Sequence, residues 1–192
     1  MVKKIQLCLI HSGRINGRRQ IAFASGFNVV VGPNGSGKSS LLKAIYDCPD
    51  CKKINNNATK YHYFDSETMN PHRSEEPFRG VHGSIIRVRA MFSSHGETMR
   101  DVLRFLNFKE GDTLLLDEPE AGHDFQWILK IRKGLEKISR MGCQVVVASH
   151  HPVFWDAENI VELKRGYRKR TLDSFGENIV QGSKGRFSDR EK

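Results

Sequence analysis

Long apolar runs are absent from this chain. No stretch approaches the roughly 18 consecutive apolar residues that span a bilayer. Lys3 and Lys4 precede only a short apolar segment, broken by Gln6, so no export signal is expected. Cysteine is scarce, with four residues, Cys8, Cys48, Cys51 and Cys143. Without an export signal these argue against a disulfide framework and for a reducing, cytoplasmic setting. Cys8 and Cys143 fall in apolar, strand-like runs and read as core thiols. Cys48-Pro-Asp-Cys51 is a CxxC pair, but a structural zinc site takes about four ligands. No second CxxC follows, and His62 and His72 fit no common finger spacing, so the pair reads first as a turn with two free thiols, with metal binding or redox chemistry as the alternative. Internal repeats, a helix-turn-helix and a finger motif are also missing, which leaves no support for sequence-specific DNA reading.

The chain does carry basic charge, with 31 Lys+Arg against 22 Asp+Glu, a net +9 over 192 residues. At 38% hydrophobic and 28% charged it reads as soluble and globular. Its length suits one domain, with a core and no need of disulfide staples. A full transporter or a long coiled-coil arm does not fit that length. The excess charge points to a polyanionic partner. It collects at residues 14–19, 164–170 and 184–192, and Tyr167 is placed where it could stack on a base. A solvated basic surface with a mobile tail is the plain reading of the same charges.

Patterning predicts alternating strands and helices. Residues 5–10 and 20–23 read as strands around a basic turn, and 27–31 as a buried strand. Residues 39–46 read as a helix ended by Pro49 and 52–60 as an Asn-rich loop. Residues 61–64 read as a strand, 65–80 as irregular, and 85–91 as either strand or helix. A helix is expected over 98–108, buried strands over 113–116 and 144–148, and an amphipathic helix over 124–141 capped by Gly142. Late strands are expected at 160–163 and 170–172, and a mobile tail over 182–192. Continuous apolar strands alternating with helices favour an α/β fold with a mainly parallel sheet.

Gly32-Pro-Asn-Gly-Ser-Gly37-Lys38-Ser39 fits GxxxxGK[ST] between a predicted strand and a predicted helix. Its glycines let backbone N–H groups curl toward one centre, and the helix N-terminus faces the same centre. Asn34, Gly35, Ser36, Gly37, Lys38, Ser39 and Ser40 are the candidate ATP contacts. Lys38 would reach the β- and γ-phosphates, and Ser39 would ligand Mg²⁺. The strand at 114–116 runs into Asp117-Glu118-Pro119. Adjacent side chains at a strand end point apart, so Asp117 would hold Mg²⁺ through its waters while Glu118 polarises the attacking water. His150 follows a second apolar strand, where it could contact the γ-phosphate.

This ordered set resembles the ABC-class ATPases. Residues 32–40 match their Walker A loop, and residues 114–119 match Walker B. Ser94-His-Gly-Glu97 resembles the signature, usually Ser-Gly-Gly-Gln. Glu120-Ala-Gly-His-Asp124 resembles the D-loop, and Ser149-His150 the switch histidine. The likeness covers about residues 1–165 and leans toward the soluble SMC-like and recombination-repair enzymes and the small AAA-type ATPases of bacteria and phages. It implies a P-loop NTPase core with a mainly parallel sheet, an antiparallel N-terminal β portion and a reduced helical subdomain. The ATPase domain would span 1–175, with a basic, flexible tail over 176–192. It further implies ATP hydrolysis with Mg²⁺ in a nucleotide-dependent, head-to-tail homodimer. Ser94, Gly96 and Glu97 of one copy would cap ATP held by Lys38 of the other, and Asp124 would lie at the interface. DNA or a nucleic-acid-processing protein is the implied partner, without membrane insertion. A transporter's nucleotide-binding subunit and a switch with little turnover are the alternatives.

Some features depart from the pattern. No Gln stands between Ser40 and Ser94, and Asp65 or Glu67 is the candidate replacement. The separation of Lys38 from Asp117 is short for a transporter subunit. No aromatic residue is placed to stack on adenine: Phe23 reads as core, and the Arg14 segment could approach the nucleotide instead.

Overall fold

The computed structural model describes residues 1–54, 57–66 and 108–185. The chain runs through β1 (Lys4–Gln6), α1 (Leu9–Arg14), β2 (Gln20–Ala22), β3 (Phe27–Val31), α2 (Lys38–Tyr46), β4 (Lys52–Ile54), β5 (Tyr61–Asp65) and β6 (Thr113–Asp117). It continues through α3 (Phe125–Arg140), β7 (Gln144–Ala148), a 3₁₀ turn (Pro152–Phe154), β8 (Asn159–Glu162) and α4 (Tyr167–Gly185). The signature residues Ser94, Gly96 and Glu97 lie outside the described residues. So do Glu67, the elements expected over 85–91 and 98–107, and most of the third basic stretch.

Two sheets form. The order β5-β6-β7-β3-β8 is parallel throughout, and β2-β1-β4 is antiparallel. The parallel strands are apolar on both faces, so both faces must be covered. Side chains alternate faces along each strand. Val30, Leu115, Val146 and Ala148 point to one side, where they meet Leu41, Leu42 and Ile45 of α2 and Ile5 and Ile21 of the antiparallel sheet. Val29, Val31, Leu114, Leu116, Val145 and Val147 point to the other, against Ile128, Ile131 and Leu135 of α3. Helix α3 starts where the Asp124 carboxylate accepts the Trp127 N–H (2.9 Å), and Lys137 and Arg140 stand in its last turn.

Three expectations of secondary structure fail, each for an identifiable reason. Residues 9–14 form α1 where a strand and turn were expected. Strand β1 ends at Gln6, and the Cys8 carbonyl accepts Ser12 N–H at 2.8 Å, opening a helical turn. Residues 52–54 form β4, an edge strand beside β1, instead of a loop. Its two lysines, Lys52 exposed and Lys53 half-buried, hide it from a hydrophobicity pattern and suit a protected edge. Residues 170–172 are helical because Glu162, at the end of β8, accepts the N–H groups of Gly166 (2.8 Å) and Arg168 (3.1 Å). That helix runs to Gly185, so the expected tail boundary at 175/176 falls inside α4.

Gln144 ties the two sheets together. Its amide donates to the carbonyls of Val2 and Ala24 (both 2.8 Å) and accepts from Val2 N–H (2.8 Å) and Thr113 Oγ1 (3.3 Å), fully buried. Gln144→Leu strands these backbone groups away from water. It is expected to lower unfolding free energy in urea by about 3 kcal/mol.

Candidate nucleotide-binding site

In a parallel sheet all carboxyl ends lie on one edge, where ligands bind. Here β3 ends in the Gly32–Gly37 loop, β6 in Asp117 and Glu118, β7 in Ser149 and His150, and β5 in Asp65. Gly37 adopts φ 91°, and a Cβ there would lie 2.6 Å from the Arg14 carbonyl oxygen and 2.8 Å from Ile15. Only glycine meets both demands, and α2 begins at the next residue. A Cβ on Gly32 would strike Ser36 Oγ at 2.5 Å, so the start of the loop closes directly over Ser36.

The sequence-predicted residues Asn34, Gly35, Gly37, Lys38, Ser39, Ser40, Glu118 and His150 line one cavity of about 510 Å³. Gly13, Arg14 and Asn16, which follow α1 or close it, complete the wall, as expected for the Arg14 segment. Phe23 is buried in the core. Ser36 is buried under the loop and Asp124 caps α3; neither lines this cavity. Tyr167, a candidate base-stacking residue, instead packs edge-on against Trp155, with centroids 5.8 Å apart. His62 is held by Asp112 at 2.9 Å, a buried pair.

The Lys38 ammonium donates to the Gly32 and Pro33 carbonyls at 3.2 and 3.3 Å and meets His150 Nε2. Burial lowers its pKa, opposed by the charges of Glu118, Asp117 and Glu120. His150 Nε2 also lies 3.3 Å from Glu118 Oε1. Burial and the Lys38 charge lower the His150 pKa, against the pull of Glu118, which favours the neutral ring. Glu118 sits at φ 47°, a left-handed conformation costing a non-glycine residue about 1–3 kcal/mol. Two backbone bonds hold it there, from its N–H to Ala148 O (2.9 Å) and from Ala121 N–H to its carbonyl (3.0 Å). Its carboxylate is 44% exposed and faces the cavity.

Asp117 is buried behind that cavity. Ser39 is hydrogen-bonded to its carboxylate, and Tyr63 OH donates to Oδ2 at 3.3 Å. Oδ1 is buried with no hydrogen-bond partner. Burial raises the Asp117 pKa, and the Ser39 hydrogen bond opposes it. A buried orphan carboxylate oxygen beside a serine hydroxyl suits a hard cation such as Mg²⁺, which takes oxygen ligands.

Two further contributors escaped the sequence reading. Glu120 Oε1 accepts from Ser149 Oγ (2.6 Å), His150 N–H (2.9 Å) and His151 N–H (3.3 Å), fixing the turn that carries His150. Tyr63 stands two residues before Asp65, which pairs in register with Asp117. Period-two alternation along β5 could have placed Tyr63 on the Asp117 face. No pattern announces this anchoring role of Glu120, because its partners lie about thirty residues on.

A protein-family model described as an AAA domain matches residues 4–138. The match exceeds half of the chain, which therefore belongs to that AAA domain family, and its loop, acidic strand end and sheet are those of an ABC-class P-loop ATPase. The zinc import ATP-binding protein ZnuC of Vibrio cholerae is 27% identical over 161 residues, 70% of this chain and 62% of that protein. The energy-coupling factor transporter ATP-binding protein EcfA1 of Methanospirillum hungatei is 25% identical over 79% of this chain and 70% of its own. The DNA replication and repair protein RecF of Yersinia enterocolitica is 73% identical over 26 residues, 14% of this chain and 7% of RecF. The chain thus spans less than two thirds of the length of RecF or ZnuC. Among solved structures, the dimeric post-hydrolysis ATP-binding cassette MJ0796 bound to ADP and Pi aligns with TM-score 0.46 and 21% identity over 77% of this chain and 86% of its own.

The His150 environment makes a direct prediction. In nucleotide-free protein, NMR of the ring should show a titration midpoint below 6.5. Lys38→Ala should raise that midpoint by removing a positive neighbour, and Glu118→Gln should lower it further.

Proposed function

We propose that the chain binds Mg-ATP in the Gly32–Ser40 cavity and hydrolyses it to ADP and phosphate. The observation that carries this reading is the meeting of Lys38, Glu118 and His150 at one sheet edge, inside the cavity the loop lines. The loop N–H groups and the Lys38 ammonium hold the phosphates. Glu118 takes the proton of the water whose oxygen attacks the γ-phosphorus. Its strained backbone and half-exposed carboxylate aim an acceptor where water can reach it. Neutral His150 donates to a γ-phosphate oxygen and registers its loss. Ser39 and Asp117 are the groups that hold Mg²⁺, which when bound neutralises charge on the phosphate oxygens.

In this reading two copies pack head to tail, and Ser94, Gly96 and Glu97 of the second copy close the cavity. The opposing donors are needed because the developing charge spreads over oxygens that one loop does not surround. Asp124 lies exposed at the start of α3, where a second copy could meet it. The cycle would serve a nucleic-acid process such as repair, replication or defence, supported by the net charge of +9 and the short likeness to RecF. A second reading, an ATP-binding subunit of a transporter, is favoured by the longer alignments to ZnuC and EcfA1.

Lys38→Ala should abolish ATP binding measured by calorimetry. Glu118→Gln should keep binding, lower phosphate release by about 10²–10⁴-fold, and elute as an ATP-dependent dimer at micromolar concentration. A monomeric Glu118→Gln with ATP would overturn the dimer. Turnover raised by single- or double-stranded DNA at low salt supports the nucleic-acid role. Co-purification with a membrane subunit and indifference to DNA would favour the transporter role, and ATP binding without phosphate release would leave only a switch.

A further inference from the structure

A second cluster of chemistry-bearing residues lies apart from the nucleotide cavity. Cys8 is the residue before α1, and His11 is within it. Cys48 and Cys51 belong to the turn that links α2 to β4. One ligand atom from each of these four residues lies within 4.8 Å of the other three. Cys8 Sγ is 3.2 Å and Cys51 Sγ 3.6 Å from His11 Nδ1, and the Cys8 N–H points at Cys51 Sγ from 3.3 Å. All four cysteines of the chain are free thiols, and Cys51 is buried. We infer that Cys8, His11, Cys48 and Cys51 form a structural Cys₃His site for one zinc ion.

The geometry fits. Zinc held at about 2.3 Å by sulfur and about 2.0 Å by nitrogen sets ligand atoms roughly 3.5–3.8 Å apart on a tetrahedron. The cluster needs shifts of under about 1 Å to reach that figure. Three thiolates and an imidazole are soft and borderline ligands, the set that selects zinc over magnesium or calcium. Four protein ligands close the coordination sphere, which marks a structural rather than a catalytic ion. The Cys8 N–H aimed at a sulfur is the kind of outer contact that orients a thiolate.

The spacing was readable after all. Cys8-Leu-Ile-His11 is a CxxH pair that precedes the CxxC pair, so the missing half of the motif lies upstream and uses histidine. Cys8, expected as a core thiol, is half-buried among these ligands instead.

The position gives the ion its role. It would fasten α1 to the carboxyl end of α2. The other end of α2 is the phosphate loop, and Gly37 rests against the Arg14 carbonyl. Gly13, Arg14 and Asn16 form one wall of the nucleotide cavity. A zinc ion would therefore hold that wall in register with the loop, without touching nucleotide.

Metal content tests this independently of ATP chemistry. Full-length protein purified without chelator and re-equilibrated with zinc should carry about one ion per chain, measured by plasma mass spectrometry. Its cobalt(II) form should show the strong visible and thiolate charge-transfer bands of a tetrahedral site. Cys48→Ser and His11→Ala should lose the stoichiometric ion and change those bands, whereas Cys143→Ser should keep both. In the wild type, Cys8, Cys48 and Cys51 should be protected from a thiol reagent until zinc is chelated, a readout that needs no variant to fold. Zinc well below one equivalent after reconstitution would overturn the site. So would a cobalt spectrum without thiolate bands, or a disulfide among these cysteines in protein handled under reducing conditions.

Discussion

A buried lysine ammonium sets the terms for the rest of this structure. Removing a charge from water is costly unless hydrogen bonds and opposite charge replace the solvent. Lys38 meets that demand with two carbonyls of its own loop, the His150 ring and the field of three carboxylates. The loop must curl back on itself to present those carbonyls, which places glycine at Gly32 and Gly37. The carboxylates come from the end of β6 and the turn after it, and His150 from the residues after β7, which requires both strands to end at the same edge as β3. An α/β sheet with parallel central strands supplies that arrangement directly.

The site is held by groups that do not themselves face the cavity. Glu120 anchors the Ser149–His151 turn through three hydrogen bonds, although burial raises its pKa. Tyr63, outside the cavity lining, and Ser39, within it, both hydrogen-bond the Asp117 carboxylate. Glu118 is locked into a left-handed turn by its bond to Ala148, the last residue of β7. The two catalytic candidates are thus positioned by the same pair of strand ends. A shift in one strand would move Glu118 and His150 together.

Much of this was legible in the sequence because it is written in short windows. The Gly32–Ser39 spacing, the apolar runs of β3, β6 and β7, and the Asp117-Glu118 pair each lie within a few residues. The α3 helix was readable from its period and its Gly142 cap. What stayed hidden depends on particular side-chain and strand partners that a hydrophobic pattern does not display. Helix α4 is initiated by a carboxylate on β8, so residues 170–172 looked like a strand. Strand β4 owes its conformation to pairing with β1, not to the character of Lys-Lys-Ile. The Cys8–His11 pair gains meaning only once α1 is folded against the turn after α2.

The pairing of β3 has a consequence for synthesis. Among the described residues this strand pairs only with β7 and β8, whose residues are made more than a hundred positions later. Val2 waits equally long for Gln144. The loop that opens from β3 is therefore complete in sequence long before its flanking strands exist. During translation the early β3 segment stays an unpaired apolar run while most of the remaining chain emerges. The nucleotide cradle therefore completes its native strand pairing only after β7 and β8 have emerged, not outward from the loop that defines it.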